Sequence, residues 1–498
     1  MSKALLSKTT YLKSLQCQKH LYLYKNHYAL QDPISYEKKA IFARGHNVGN
    51  FARKLFPGGV DASPKKISDQ DAWVTKTADL IKNGTTVIYE AAFIFNDVFV
   101  AIDMLVKKEN DWFAYEVKSS VKVSQTYIND AALQHYVISN QGISLKDISI
   151  VYVNSTYIRE NALEPEKIFH IVSVLQQANT FKTQIEVKIE LAKLTLSQKQ
   201  IPEAKIGTHC FEPYQCDFKG YCWKKVDNNP VFEIAGLSKK EQFELYDAGI
   251  TSEKDLPESF ELKKLPALYI QSKLQNQSII NTTKISEYLK KIEYPVYFID
   301  FEAIMPAIPI YKETSPFEFI PFQYSIHYKE NKDSKPNHME FLAETGIDPR
   351  KSFIKEFLKN TENRGTILAY DISGEKKMLQ SVAKILPEFE TEIKERVARL
   401  KDLNTPFKEL MYYHYAMKGA LSIKSVLNSI FPELLYDDLK IKNGNMASVM
   451  FESLQTESDI FTIAETRENL LSYCKMDTLA MVKIFEWMEN HVNSNSHC

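Results

Sequence analysis

The chain has 498 residues, 44% of them hydrophobic and 25% charged, with a net charge of −1. That length exceeds a single hydrophobic core and sets an expectation of two to three domains, while the composition excludes a disordered or fibrous protein. No 18-residue apolar run is free of charge, the first residues lack a signal-peptide core, and the six cysteines form no evenly spaced disulfide framework. A cytoplasmic protein without a membrane span is therefore expected. The small net charge hides an asymmetry. Residues 1–230 carry 29 Lys and Arg against 23 Asp and Glu, and the remainder carries 33 against 40. Local patches rather than the total decide whether a polyanion is attracted.

Residues 1–60 read as helix, turn, helix: Leu12, Leu15, Leu21 and Leu23 with Cys17 between them, then 43–56 running to a Pro57-Gly58-Gly59 stop. A helix is expected near 69–83. Strands follow over 86–95, 98–105 and 112–117, broken by Asn96-Asp97 and Glu109-Asn110-Asp111 turns. Then come a helix over 127–139, a short buried strand over 148–153 and a long amphipathic helical stretch over 166–199. The chemistry lies in Asp103, which follows Ala101-Ile102, and in Glu116-Val117-Lys118. Strand alternation puts Glu116 and Lys118 on one face and Val117 on the other. Two carboxylates with an ammonium suit phosphodiester hydrolysis: the acids hold a divalent cation that activates water, and the lysine offsets developing charge. The same spacing also fits a hairpin with a solvated charged edge.

Asp103, Glu116 and Lys118 resemble the three motif positions of the PD-(D/E)xK nucleases, and the strands, helix, strand order is that of the nuclease core. Gln134 and Tyr136 on the following helix resemble the RecB-type subfamily, in which a Gln and a Tyr help form the site. The resemblance implies Glu90 as a fourth acid. One departure is plain: Gly49 stands where many RecB-type nucleases have a histidine ligand, with His46 three residues earlier, so His46 is expected at the surface or in packing.

Cys210, Cys216 and Cys222 form a compact trio, with Pro213 and Gly220 to bend the chain around a centre. Three thiolates leave a tetrahedral or cubane site one ligand short, and Cys17 is the other cysteine of this half. Zinc on four thiolates, an iron–sulfur cluster and reduced structural cysteines all fit these residues. The arrangement resembles the iron–sulfur nucleases related to RecB, where one cysteine precedes the core and three follow it. That resemblance implies a 4Fe–4S cluster on Cys17, Cys210, Cys216 and Cys222, with Zn²⁺ as the alternative; the first gap of the trio is wider than is usual there.

Residues 225–290 read as a helical connector. Within it Phe243–Ile250, followed by Asp255-Leu256-Pro257, resembles a helix–turn–helix pair and is read as a packed spacer. Next, 294–302 is an aromatic and β-branched strand in which Asp300 and Glu302 share one face. Two acids on a buried strand repel each other and persist where a cation compensates. Residues 320–327 read as its antiparallel neighbour, and 366–371 as another strand, leading to Gly374-Glu375 at a helix start. The run 418–424 is a glycine turn into a helix whose Lys418 and Lys424 suit either a phosphate backbone or a helix cap. Tyr473 and Asp477, four apart on a helix, share a face.

Asp-x-Glu, an acid after a further strand, and Tyr-x(3)-Asp near the end resemble the DEDD 3′–5′ exonucleases of the ribonuclease-H-like fold. The resemblance implies that Asp300, Glu302, Glu375 and Asp477 hold two divalent cations, Mg²⁺ or Mn²⁺, and that Tyr473 positions the water. The departure is at the second motif, where Asp371…Gly374-Glu375 replaces Asn…aromatic-Asp. Over its whole length the chain resembles an uncharacterised prokaryotic family that fuses an iron–sulfur RecB-like nuclease to such an exonuclease. The implied architecture is α/β: a PD-(D/E)xK restriction-endonuclease-like domain over 1–224, the connector over 225–290 and a ribonuclease-H-like domain over 291–498. The implied activity is a metal-dependent DNA nuclease acting on single-stranded or duplex ends in repair, recombination or defence, with a larger defence or repair complex as an implied partner. An RNA-processing nuclease and a nucleic-acid-binding adaptor with little turnover are the alternatives.

Overall fold

The structure, a computed structural model, describes residues 5–224, 226, 230–250, 252–256, 260–434 and 439–494. Residue 225, the first of the expected connector, and Pro257 within it lie outside the described residues. The chain divides into two compact units, Met1–Asn228 with Pro306–Phe317, and Asn229–Met305 with Glu318–Cys498. Among the described residues no helix is long and apolar enough to cross a membrane.

In the first unit β1 (Leu6–Ser7) leads into α1 (Lys8–Gln16), α2 (Gln18–Asn26) and α3 (Tyr36–Ala52). There follow β2 (Val60–Asp61), α4 (Gln70–Lys82), β3 (Val87–Phe95), β4 (Val98–Lys108) and β5 (Asp111–Lys118). Then come α5 (Gln125–Ser139), β6 (Leu145–Val153), β7 (Phe169–Ser173) and α6 (Lys182–Ser197). The strands form one seven-stranded sheet, β2 to β7 in chain order, with β1 beside β4. β3, β4 and β5 are an antiparallel meander. Asn96 and Asp97 close its first hairpin with φ of 51° and 60°, the left-handed pair whose twist matches the strands it joins. β6 runs parallel to β5, so a crossover is required, and α5 supplies it. Ser124 starts that helix by accepting the Tyr127 N–H.

The sheet is covered on both faces. Val98, Val100, Ile102 and Ile150 pack with Ala131, Leu133 and Val137 of α5, while Tyr89, Met104, Tyr115 and Val151 pack with Val48, Ala52 and Ala307. Ile102 and Met104 thus lie in different clusters although they are two apart. The alternation breaks at Asp103, and opposite it Glu90 takes a left-handed φ of 54°. The β3–β4 ladder pairs Tyr89 with Met104 and Ala91 with Ile102, passing over that one position. A distortion of this kind is a strand's way of re-aiming side chains.

In the second unit three helices, α7 (Lys239–Asp247), α8 (Lys264–Gln275) and α9 (Thr282–Leu289), precede β8 (Val296–Ile304). β9 (Ile320–Lys329), β10 (Asn337–Leu342), α10 (Arg350–Asn360) and β11 (Thr366–Ala369) follow. The unit ends with α11 (Ser373–Ile385), α12 (Glu390–Ala398), β12 (Leu400–Asp402), α13 (Ile423–Ile430), α14 (Gly444–Leu454) and the 35-residue α15 (Ile460–Ser494). These five strands form one sheet, ordered β10-β9-β8-β11-β12, and Ile279–Ile280 pairs separately with Tyr412–Tyr413. The first three are antiparallel, and β11 and β12 run parallel to β8. Phe298 and Leu368 face a cluster holding Ala480, Ile484 and Phe485 of α15, while Tyr297, Ile299 and Phe301 face Phe353 and Phe357 of α10. Asp300 and Glu302 have the parity of Phe298 and so project on the α15 side.

Three expectations are corrected. The helical connector expected over 225–290 is, in its described residues from 230 on, part of the second unit: Ile234, Ala235, Tyr269, Ile285 and Tyr288 are buried in that unit's core. The stretch 166–199 is not one helix, because Phe169–Ser173, rich in aromatic and β-branched residues, forms β7 antiparallel to β6. The 366–371 strand stops at Ala369, and Asp371 beyond it takes a φ of 67°.

Candidate metal-binding sites

In the first unit the register sets the acids. Met104 pairs with both Tyr89 and Tyr115, so one residue further along, Glu90, Asp103 and Glu116 stand in a row across β3, β4 and β5. Lys118 Nζ lies 2.6 Å from Glu116 Oε1 and 2.6 Å from Asp130 Oδ2. Gln134 Nε2 donates to Glu116 Oε2 at 2.9 Å and to Asp130 Oδ1 at 3.0 Å. Glu116, Asp130 and Gln134 are 2%, 3% and 0% exposed, a depth at which charge must be compensated. Lys8 adds a second ammonium, 2.7 Å from Glu116 Oε1 and 3.5 Å from Asp130 Oδ2. Glu90 is held by Arg53 at 3.1 Å, and its backbone carbonyl accepts the Trp73 indole N–H at 2.6 Å.

Charge at this site is unevenly matched. Burial and the neighbouring Glu116 carboxylate push Asp103 up to about 8, although its Oδ2 accepts the Val117 N–H at 2.6 Å. Asp130 is held low despite its burial, because Lys118 and Lys8 favour its ionised form. Lys118 is raised well above its ordinary value by Asp130 and Glu116, against burial, and Lys8 is raised in the same way. A carboxyl kept protonated beside a buried carboxylate lacks positive charge, and hard oxygen donors in that condition suit Mg²⁺ or Mn²⁺.

Tyr136 does not join this group, which corrects its expected place. Its ring meets Phe95 edge-on at 5.5 Å and its hydroxyl lies 3.5 Å from the Asn96 amide. Residues two apart on a helix do not face each other, so Gln134 and Tyr136 cannot both reach Glu116. His46 is exposed and Gly49 has open space beside it. Sequence reasoning missed Asp130, Lys8 and Arg53. Asp130 left a signal, since it precedes Gln134 by four on one helix face; Lys8 and Arg53 left none.

Cys17, Cys210, Cys216 and Cys222 line one small cavity of about 20 Å³, together with Lys19, Lys205, Lys219, His20 and His209. Burial pushes the Cys216 thiol up to about 12, against the Phe218 N–H, with the other three cysteines adding to the rise. The lysines bring charge of the sign four thiolates require. Among the described residues no three sulfurs come within 4.8 Å of one another.

In the second unit Asp300, Glu302 and Asp477 each bring one carboxylate oxygen within 4.8 Å of the others. Glu302 and Asp477 are buried and Asp300 half-buried. Burial, then the other acids, raise Asp300 well above the carboxylate range and push Glu302 up to about 8. Glu375, in the first turn of α11, lies outside the trio but within its field; burial, with Asp371 and Asp402, pushes it up to about 7, and its Oε2 is buried without a hydrogen-bond partner. Asp371 itself points elsewhere, paired with Lys408 at 3.0 Å. Tyr473 hydrogen-bonds Asp477 and keeps its proton, since burial and three carboxylates raise it.

The sequence missed two neighbours, Cys474 and Gly444, and left Lys424 without a place in the site. The Cys474 thiol donates to Asp300 Oδ2 at 3.3 Å. A Cβ on Gly444, at the start of α14, would stand 3.2 Å from Glu302 Oε2, so a helix N-terminus runs close against that carboxylate. Lys424 lies 4.9 Å over the Tyr473 ring; burial lowers it, and Asp477, Glu302 and Asp300 oppose that. Its partner on the sequence, Lys418, pairs with Glu233 at 3.1 Å. Three or four buried acids with one amine hold an excess of negative charge that a divalent cation matches.

The protein is thus a mixed α/β chain of two units, each with a cluster of acids on its sheet. Residues 297–422 match a family model described as "Domain of unknown function (DUF2779)", a stretch that takes in Asp300, Glu302 and Glu375. The chain is also similar to the "Uncharacterized protein MG366 homolog" of Mycoplasma pneumoniae (strain ATCC 29342 / M129 / Subtype 1), 25% identical over 228 residues. That match covers 42% of this chain and 34% of the relative's length.

Proposed function

We propose that the chain is a metal-dependent DNA nuclease with two hydrolytic sites, the first unit a RecB-like PD-(D/E)xK fold and the second a ribonuclease-H-like DEDD exonuclease. The observation that carries the reading is the trio Asp300, Glu302 and Asp477, three acids within 4.8 Å where repulsion alone would part them. The order β10-β9-β8-β11-β12, three antiparallel strands and then two parallel ones, supports the second fold. The row Glu90, Asp103 and Glu116 with Lys118, beside a βαβ crossover, supports the first.

Asp103 and Glu116 would hold a cation in the first site, and Asp300, Glu302, Glu375 and Asp477 in the second. Bound there, Mg²⁺ or Mn²⁺ supplies Lewis acidity for water and for the leaving oxygen. Lys118 stays protonated, so it offsets phosphate charge rather than acting as a base. Asp130 and Gln134 hold Lys118 and Glu116 in place. Tyr473, also protonated, orients water by hydrogen bonding. In the cysteine cavity Cys17, Cys210, Cys216 and Cys222 would hold a 4Fe–4S cluster that ties α1 to the 210–222 segment. End processing in repair, recombination or defence is the role such a pair of activities serves.

The test uses full-length protein purified without oxygen, with end-labelled single- and double-stranded DNA and RNA in Mn²⁺. Wild type is expected to shorten DNA, and the Glu116→Ala/Asp300→Ala double variant to leave it intact. Preferential loss of RNA would move the reading to RNA processing; no degradation by wild type would leave a binding adaptor. Iron, sulfide and zinc analysis of wild type and Cys216→Ala decides the cavity's content.

A further inference from the structure

We infer that Lys8 is a catalytic residue of the first unit's site, binding a backbone phosphate of the nucleic acid beside Lys118; the inference rests on the nuclease reading of that site. Lys8 is the first residue of α1, and two features deliver it. β1 pairs with β4, Leu6 opposite Val98, and Ser7 caps the helix, accepting the Thr10 N–H while Thr10 Oγ1 accepts the Ser7 N–H at 2.7 Å. The other end of α1 is anchored as firmly. Lys13 pairs with Asp217, and Gln16 Nε2 donates to the His209 and Tyr214 carbonyls at 2.8 and 2.7 Å. Lys8 is therefore carried by a fixed helix, not by a loose terminus.

Its ammonium shares Glu116 Oε1 with that of Lys118, at 2.7 and 2.6 Å. Two like charges on one oxygen repel, and the site tolerates them because Asp130 lies 2.6 Å from Lys118 and 3.5 Å from Lys8, so that two carboxylates meet two ammoniums. With Glu90 paired to Arg53, a cation that took the place of the Asp103 proton would meet three carboxylates, Asp103, Glu116 and Asp130, against Lys8 and Lys118, one negative charge in excess. A divalent cation turns that into one positive charge, which a single phosphodiester balances; without Lys8 no attraction for the phosphate is left. Position agrees, because the Lys8 side chain is 27% exposed, that of Lys118 17% and that of Glu116 3%, making Lys8 the outermost of the three. The N-terminal end of α1 adds its positive dipole on the same side.

The test places Lys8→Ala and Lys8→Arg in full-length protein already carrying Asp300→Ala, so that only the first site cuts. Cleavage of a labelled single-stranded DNA oligonucleotide in Mn²⁺ gives KM and kcat, and binding of the same oligonucleotide in Ca²⁺ is measured across salt. Lys8→Ala is expected to raise KM at least tenfold and to lower the slope of log affinity against log salt by about 0.7, the value of one phosphate contact on a single strand. Lys8→Arg should restore most of both at the wild-type Tm, because it keeps the charge beside Glu116 and Asp130. Wild-type KM and slope in Lys8→Ala would overturn the inference. So would parallel losses of activity and Tm that arginine does not repair, which mark a structural role. A parent protein that neither binds nor cuts overturns the nuclease reading before Lys8 is touched.

Discussion

At the scale of single residues the protonation of the second site is open to measurement. Glu302 is pushed up to about 8 and Glu375 to about 7, each by burial first. A carboxyl raised above its unfolded value of roughly 4.3 binds its proton more tightly when folded, so its contribution to stability is full at low pH. It is then lost as pH rises, here between about 4.5 and 8. Metal-free protein in EDTA should accordingly melt several degrees lower at pH 8 than at pH 5.5, and Glu302→Gln should flatten that slope. Added Mn²⁺ should raise Tm most at pH 8, where the acids are ionised and ready to ligate. A Tm that rises with pH in EDTA would mean the acids are solvated. In the first site Asp130→Asn removes a carboxylate that Lys118 touches at 2.6 Å but leaves an oxygen for Gln134. The expected loss is at least tenfold in kcat of the first site, about 1.4 kcal/mol, with KM little changed because Lys8 and its phosphate contact remain.

At the scale of elements the strand distortion at Glu90 separates fold from chemistry. A left-handed φ costs a non-glycine residue about 1–2 kcal/mol, and a β-branched residue more. Glu90→Gly should therefore melt at or above the temperature of Glu90→Ala, and Glu90→Val below both, while all three lose the carboxylate and the first site's activity equally. Thermal melts beside cleavage rates check this; a Val variant as stable as Gly would show that the φ of 54° carries no strain. The elements themselves were largely legible in the sequence. Alternating β-branched and aromatic runs with Asn96-Asp97 between them mark β3 and β4, and period two joins Asp300 to Glu302. Legibility failed where a residue's face depends on an angle of about 100° per residue, as with Gln134 and Tyr136. It failed also where local propensity is mixed, as in Phe169–Ser173. Contacts such as Lys8 to Glu116, 108 residues apart, leave no periodic trace at all.

At the scale of the whole molecule the question is whether one chain carries two separate activities. Each unit has its own sheet, its own core clusters and its own acids, and no residue of one acidic cluster belongs to the other unit. Sites built this way should be additive when disabled. Charge distinguishes them further: residues 1–230 hold six more basic than acidic residues, the remainder seven fewer. Glu116→Ala and Asp300→Ala are thus expected to remove different product ladders from one end-labelled DNA, with the double variant showing neither. Activity remaining in Asp300→Ala, which belongs to the basic half, should fall more steeply with salt than that remaining in Glu116→Ala, because counterion release scales with the phosphates contacted. Denaturing gels of both variants between 50 and 200 mM salt measure both effects together. If either substitution alone abolishes every product, the two acidic clusters serve one reaction and the chain is a single enzyme whose second cluster is obligatory to the first.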